Sequence, residues 1–195
     1  MINEVVLATG NKGKIREFSK LLDGVFDRII SLSDIDSPPE VVEDGSTFRD
    51  NALKKAREIA EYTGKATLAD DSGLEVDALD GRPGVYSARY SGEGATDKTN
   101  IEKLLKELGD NTNRNARFVC VLALVDPNGE ELVVEGFCEG EILNKPRGEG
   151  GFGYDPVFCL PDRDKTMAEV DPQIKNQISH RANALKKLKL ELQRK

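Results

Sequence analysis

The sequence predicts an α/β fold on a mixed sheet, and three features predict it. Short apolar runs such as Val5-Val6-Leu7-Ala8 and Phe118-Val119-Cys120-Val121-Leu122 are interspersed with longer segments whose apolar residues recur at helical spacing. Phe118 to Val125 and Leu132 to Ile142, joined through Pro127-Asn128-Gly129, form the clearest hairpin, so strands occur both beside helices and in an antiparallel pair. No repeat, low-complexity tract or linker separates folding units, and residues 1–195 read as a single domain long enough to bury a sizeable core.

Each element has its own local reason. Val5 to Ala8 is a strand ending in Thr9-Gly10-Asn11, after which Ile15, Phe18, Leu21 and Leu22 give a helix. Phe26 to Leu32 reads as a second strand, and Ser33 to Gly45, with Pro38-Pro39, as a loop. Thr47 with Asp50 three residues on resembles an N-terminal cap, and Ala52, Ala56, Ile59 and Ala60 form the buried stripe of a helix from Thr47 to Tyr62. Ala66 to Ala69 is a strand ending at Asp70-Asp71-Ser72-Gly73, Leu74 to Asp77 alternates like a half-exposed strand, and Gly81, Pro83 and Gly84 mark a turn-rich segment. Asp97 to Leu108 is a helix with Gly109 as its stop. After the hairpin come a glycine-dense loop from Gly148 to Tyr154, a short strand from Pro156 to Leu160, and a terminal amphipathic helix from Ser179 to Gln193.

Composition removes several classes of function. With 28 basic against 35 acidic residues the net charge is −7, which disfavours binding to a nucleic-acid polymer while allowing a local basic pocket for one nucleotide. No apolar stretch approaches a membrane span, and Met1-Ile2-Asn3-Glu4 leads into a strand-like run without a signal core, so secretion and membrane insertion are disfavoured. Cys120, Cys138 and Cys159 are odd in number and sit in apolar surroundings, which predicts buried reduced thiols and a cytoplasmic address. His180 is the only histidine, so imidazole metal clusters cannot be built. Any catalytic metal should be a hard ion held by carboxylates, foremost Mg²⁺.

Four segments could carry chemistry. Thr9-Gly10-Asn11-Lys12-Gly13-Lys14 lies between strand and helix, where N–H groups and a lysine can meet a phosphate; it lacks Walker-loop spacing and also reads as a glycine turn with solvated lysines. Gly148 to Gly153 matches G-x-G-x-x-G by letters, but a strand rather than a helix follows, which rules out a dinucleotide fingerprint. That leaves a loop carrying Phe152, a ring able to stack on a base, with Asp155 close behind, or a plain glycine loop. Asp70-Asp71 places adjacent carboxylates at a strand end, a cost that a cation or strong donors would offset; a solvated acidic turn is the alternative. Ser179-His180-Arg181 opens the last helix, where Ser179 could simply cap it and Arg181, like Lys175, could read a base, read a phosphate or stay solvated.

In this order the segments resemble the inosine/xanthosine triphosphate pyrophosphatase family, enzymes that clear deaminated purine nucleotides. The matching blocks are Ala8 to Lys14, Asp44-Gly45-Ser46-Thr47-Phe48, Asn51-Ala52, Lys55-Ala56, Ala69 to Leu74, Pro83 to Tyr90, Gly150 to Pro156 and Ile178 to Arg181. The resemblance implies Mg²⁺-dependent hydrolysis between the α and β phosphates of a purine nucleoside triphosphate, giving a monophosphate and pyrophosphate. By the same likeness Thr9, Asn11, Lys14 and Lys55, with Gly10, Lys12 and Gly13 of the same loop, hold the triphosphate. Glu43 and Asp71 bind metal, and Asp71 accepts the proton of the attacking water. Ser72, Phe152, Gly153, Tyr154, Asp155, Lys175, His180 and Arg181 surround the nucleotide, mostly its base and sugar. The family fold is an elongated mixed sheet with two lobes around a central cleft, usually homodimeric. A catalytically silent nucleotide-binding regulator is the competing reading.

Overall fold

A computed structural model of the chain describes residues 4–194; Met1 to Asn3, with the N-terminal reading placed on them, and the side chain of Lys12 lie outside the described residues. Among the described residues, seven strands form one mixed sheet in the order β2-β1-β3-β4-β5-β6-β7. They are β1 (Glu4–Leu7), β2 (Arg28–Ser31), β3 (Thr67–Val76), β4 (Asn115–Val125), β5 (Glu131–Ile142), β6 (Phe158–Leu160) and β7 (Lys165–Thr166). β1 pairs parallel with β2 and β3, whereas β6 pairs antiparallel with β5 and β7, so the mixed sheet is as expected. The helices are α1 (Lys12–Leu21), α2 (Phe48–Thr63), α3 (Asp97–Leu108), α4 (Pro172–Ile178) and α5 (His180–Gln193).

Side chains fix the helix starts. Asn11 caps α1 by accepting from the backbone of Gly13 and Lys14, Thr47 caps α2 by accepting from Asp50, and Thr96 forms a reciprocal box with Thr99 at α3. Gly64 ends α2 at φ 64°, a conformation glycine enters without strain.

The structure corrects the sequence reading at several boundaries. Asp70-Asp71 does not end a strand: β3 runs unbroken through Asp70, Asp71, Ser72 and Gly73. Carboxylates can stay inside a strand there because each has a donor, Lys14 for Asp70 and Asn51 for Asp71. Lys12, Gly13 and Lys14 already belong to α1 rather than to a loop. β2 and β6 are shorter than predicted, and α5 starts at His180 after a separate helix, α4, which sequence periodicity missed because it is only seven residues long.

The chain divides into two compact units: residues 1–71, 120–136 and 181–195, and residues 72–119 and 137–180. The first has a core of Val5, Leu7, Phe18, Leu22, Leu68, Leu122, Leu185 and Leu188 with their neighbours. The second has its own, including Leu74, Ile101, Leu104, Phe118, Ile142, Val157, Phe158 and Met167. Cys120, Cys138 and Cys159 are free and buried, as expected. No helix among the described residues is long and apolar enough to cross a membrane.

Candidate active site

In the first unit, acids and lysines from four segments meet. β3 supplies Asp70 and Asp71, the segment before α2 supplies Glu43, α1 supplies Lys14, and α2 supplies Asn51 and Lys55. Asn51 and Lys55 lie four residues apart on one helix and so share a face. Lys14 Nζ binds Asp70 Oδ2 at 2.7 Å, and Lys55 Nζ is ion-paired with Glu43. Asn51 Nδ2 donates to Asp71 Oδ2 at 3.0 Å.

Burial raises the pKa of both aspartates, and the charges around them send the two in opposite directions. Asp70 is 1% exposed, and burial alone would raise its pKa; Lys14, Arg181 and Lys55 outweigh that and hold it below the ordinary value. Asp71, 6% exposed, is pushed from 3.8 up to about 6, first by burial and then by the charge of Glu43, against the pull of Asn51, Lys14 and Lys55. Burial pulls Lys55 down, but Asp70 and Glu43 leave it raised and therefore charged.

Glu43 and Asp71 are the oxygen donors that could hold a cation. Their charges already act on each other, and an ion bound to both would relieve that repulsion. Among the described residues no three Asp, Glu, His or Cys side chains gather to hold a metal unaided. Two carboxylates completed by phosphate oxygens suit Mg²⁺, which is commonly bound in that way. The donor set therefore fits a hard divalent cation.

The proposed phosphate loop behaves differently from its sequence reading. Thr9 is buried just after β1, and its Oγ1 accepts from Asn11 N at 3.2 Å. Asn11 Oδ1 takes the N–H groups of Gly13 and Lys14 at 2.8 and 3.1 Å, so those two donors are engaged by the cap. Gly10 is exposed, and a side-chain carbon placed there would meet nothing within 4 Å. Arg181 is buried in this unit, where Nη1 binds Glu17 Oε2 at 2.8 Å and the guanidinium helps to keep Asp70 ionised.

In the second unit a separate cluster surrounds Phe152. Asp155 Oδ2 accepts from Phe152 N at 2.9 Å and from Lys175 Nζ at 2.7 Å, and Lys175 Nζ stands 5.3 Å from the centre of the Phe152 ring. Gly153 N donates to Asp97 Oδ2 at 2.7 Å, and Tyr154 OH donates to Ser87 O at 2.9 Å. Gly151 has φ 74°, and any side chain there would overlap the Asp155 carboxylate. His180 is buried with its ring stacked on Phe118, centroids 4.8 Å apart, and Ser72 is half-buried in β3.

Sequence reasoning gave no role to Asn51, Glu17 or Asp97, though each holds a predicted site residue or its loop. Asn51 carried a usable signal, a polar residue one turn before Lys55 at the start of an otherwise apolar helix face.

Acids and lysines gathered about β3 suit phosphate and cation chemistry, and it is this site, not the α/β fold, that bears on function. Comparison with known proteins makes this specific. The Ham1 family profile matches residues 5–191, and the chain belongs to that family. It is 53% identical over 192 residues to the dITP/XTP pyrophosphatase of Shouchella clausii, covering 96% of each chain. It is 54% identical over 189 residues to the protein of that name from Geobacillus kaustophilus, covering 96% of this chain and 93% of the other. The Ham1 protein structure from Coxiella burnetii superposes with a TM-score of 0.91 at 46% identity, covering 100% of both chains. That from Staphylococcus aureus gives 0.89 at 47% identity, covering 97% and 98%.

Proposed function

We propose that this protein hydrolyses non-standard purine nucleoside triphosphates, dITP, XTP and ITP, to the monophosphate and pyrophosphate, removing deaminated purines from the nucleotide pool. The observation that carries the reading is the gathering of Glu43, Asp70 and Asp71 with Lys14 and Lys55, in a chain about half identical to dITP/XTP pyrophosphatases.

Lys14 and Lys55, with Thr9 and Asn11, hold the triphosphate, the lysines as fixed positive charge, and Gly10 before α1 and Lys12 and Gly13 in its first turn belong to the same phosphate-binding segment. Asp71 accepts the proton of the attacking water, a role suited to a carboxylate whose pKa of about 6 lies near neutrality. Asp70, kept ionised, holds Lys14 in place. A divalent cation on Glu43 and Asp71, Mg²⁺ in this reading, supplies charge neutralisation at the phosphate oxygens when bound.

Phe152 stacks on the base, while Ser72, Gly153, Tyr154, Asp155, Lys175, His180 and Arg181 complete its surroundings. The charged ends of Lys175 and Arg181 can only donate hydrogen bonds, so they favour the 6-oxo group of hypoxanthine and xanthine over the 6-amino group of adenine. Guanine shares the 6-oxo group, so its rejection comes from the 2-position. Residues 1–195 act as one pyrophosphatase domain, working as a homodimer in the cytoplasm; three free cysteines support that address.

The test is a product assay with Mg²⁺ on dITP, XTP, dGTP and dATP that resolves pyrophosphate from orthophosphate. Pyrophosphate from dITP and XTP alone is the expected result. Orthophosphate as product, or binding without turnover, would replace the reading with another phosphohydrolase or a silent nucleotide binder.

A further inference from the structure

Asn51 sits 1% exposed at the start of α2 with both ends of its amide committed. Its Oδ1 accepts from the backbone N–H of Gly45 at 2.7 Å, and its Nδ2 donates to Asp71 Oδ2 at 3.0 Å. The Gly45 bond fixes which way the amide faces, because an N–H can only be met by the oxygen end. The nitrogen end is therefore forced toward Asp71, where it favours the ionised carboxylate and restricts its rotation.

The loop is built for this contact. A side-chain carbon at position 45 would stand 2.6 Å from Asn51 Oδ1 and 2.8 Å from Asp50 Cβ, so the backbone can approach the amide only as glycine. Glu43 lies two residues before Gly45, and its charge acts on Asp71. One amide thus ties the segment carrying one proposed cation ligand to the side chain of the other.

We infer that Asn51 is a positioning residue that sets the register between Glu43 and Asp71, joining the Glu43–Gly45 segment to the Asp71 carboxylate through a single oriented amide. The inference rests on the proposed pyrophosphatase reading. Groups that orient metal-ligating carboxylates typically change activity or metal affinity by about 10- to 100-fold when removed. Binding of the nucleotide, which Lys14 and Lys55 dominate in that reading, should change little.

The experiment compares the parent with Asn51→Ala, which removes both bonds, and Asn51→Asp, which keeps the acceptor for Gly45 and replaces the donor to Asp71 with a second carboxylate. For each, kcat and KM for dITP are measured along with thermal melting. In the parent, the side-chain amide resonances of Asn51 are followed while Mg²⁺ alone is added. Expected are a fall in kcat of about 10- to 100-fold in each folded variant with KM within about threefold of the parent, and movement of the Asn51 amide signals with Mg²⁺.

A folded variant with parental kcat, a normal Asn51→Asp beside an impaired Asn51→Ala, or amide signals indifferent to Mg²⁺ would each overturn the coupling. If neither variant folds, the amide titration in the parent decides alone. A parent that releases no pyrophosphate from dITP would instead remove the underlying functional reading, a result read before any variant is compared.

Discussion

Replacing Asp71 by asparagine should make the metal-free protein more stable while abolishing turnover. In the folded chain Asp71 resists ionisation, with burial the main cause and Glu43 adding to it. Its pKa rises from 3.8 unfolded to about 6 folded. A group with a raised folded pKa favours the fold while protonated, so its contribution is fully present below about 3.8 and is lost as pH rises through about 6. Above pH 6 the folded state therefore carries a penalty for keeping this carboxylate charged. The gap between the two values corresponds to about 3 kcal/mol as a ceiling. In a chain of this size each kcal/mol moves Tm by roughly 2–4 °C, so the ceiling is roughly 6–12 °C. Asn51 Nδ2 keeps an amide oxygen to donate to in the variant, although the second arm of the new amide is a donor in a site built for anions, which takes back part of the gain. The assay is thermal melting of parent and Asp71→Asn in EDTA across pH 4 to 8. A higher Tm for the variant by at least about 3 °C at pH 8 is expected, with the advantage shrinking toward pH 4. Saturating Mg²⁺ should raise the parent and close the gap. A variant that melts at or below the parent at pH 8, or a difference that does not vary with pH, would refute the picture of Asp71 as a destabilised carboxylate awaiting a cation.

Lys14→Ala leaves Asp70 buried without its nearest countercharge and should cost about 3 kcal/mol, the low end for breaking a buried pair because Arg181 and Lys55 still act on Asp70; urea unfolding measures it. Gly151→Ala forces a side chain onto Asp155 at a positive φ and should raise KM for dITP roughly tenfold through the Phe152 segment, about 1–2 kcal/mol of lost binding, with pyrophosphate still the product. An unchanged KM would mean that the Asp155–Phe152 contact does not shape the base site. As Asp71 must be ionised to accept a proton, kcat/KM for dITP should fall about tenfold per pH unit below its apparent pKa. That pKa should lie near 6 at limiting Mg²⁺ and move lower as Mg²⁺ saturates, which steady-state kinetics over a pH and Mg²⁺ grid would show.

What the sequence made legible, and what it did not, follows from how far each signal reaches along the chain. Caps and stripes are local, so the α2 start at Thr47 and the whole of α3 from Asp97 to Leu108 could be read from a few neighbouring residues. The hairpin was equally local, because Asp126 to Glu130 closes on itself through Gly129 N to Asp126 O and Asp126 N to Glu130 O. Asp70-Asp71 defeated the same approach. Adjacent charges look like the end of a strand until the partners are known, and those partners come from residues 14 and 51, far away in sequence. Residue type marked Asp70-Asp71 as a pair that could carry chemistry and the family resemblance singled out Asp71, whereas its pKa of about 6 follows from burial that no local stretch of sequence displays. Asn51 shows the same division from the other side. A lone asparagine in a helix reads as a mild defect in propensity, and only its bonds to Gly45 and Asp71 turn it into a coupling element. Residue types announce which chemistry is available; the long-range contacts decide the charge state and orientation in which it is held, and in this protein those contacts are carried by Lys14, Asn51 and Lys55.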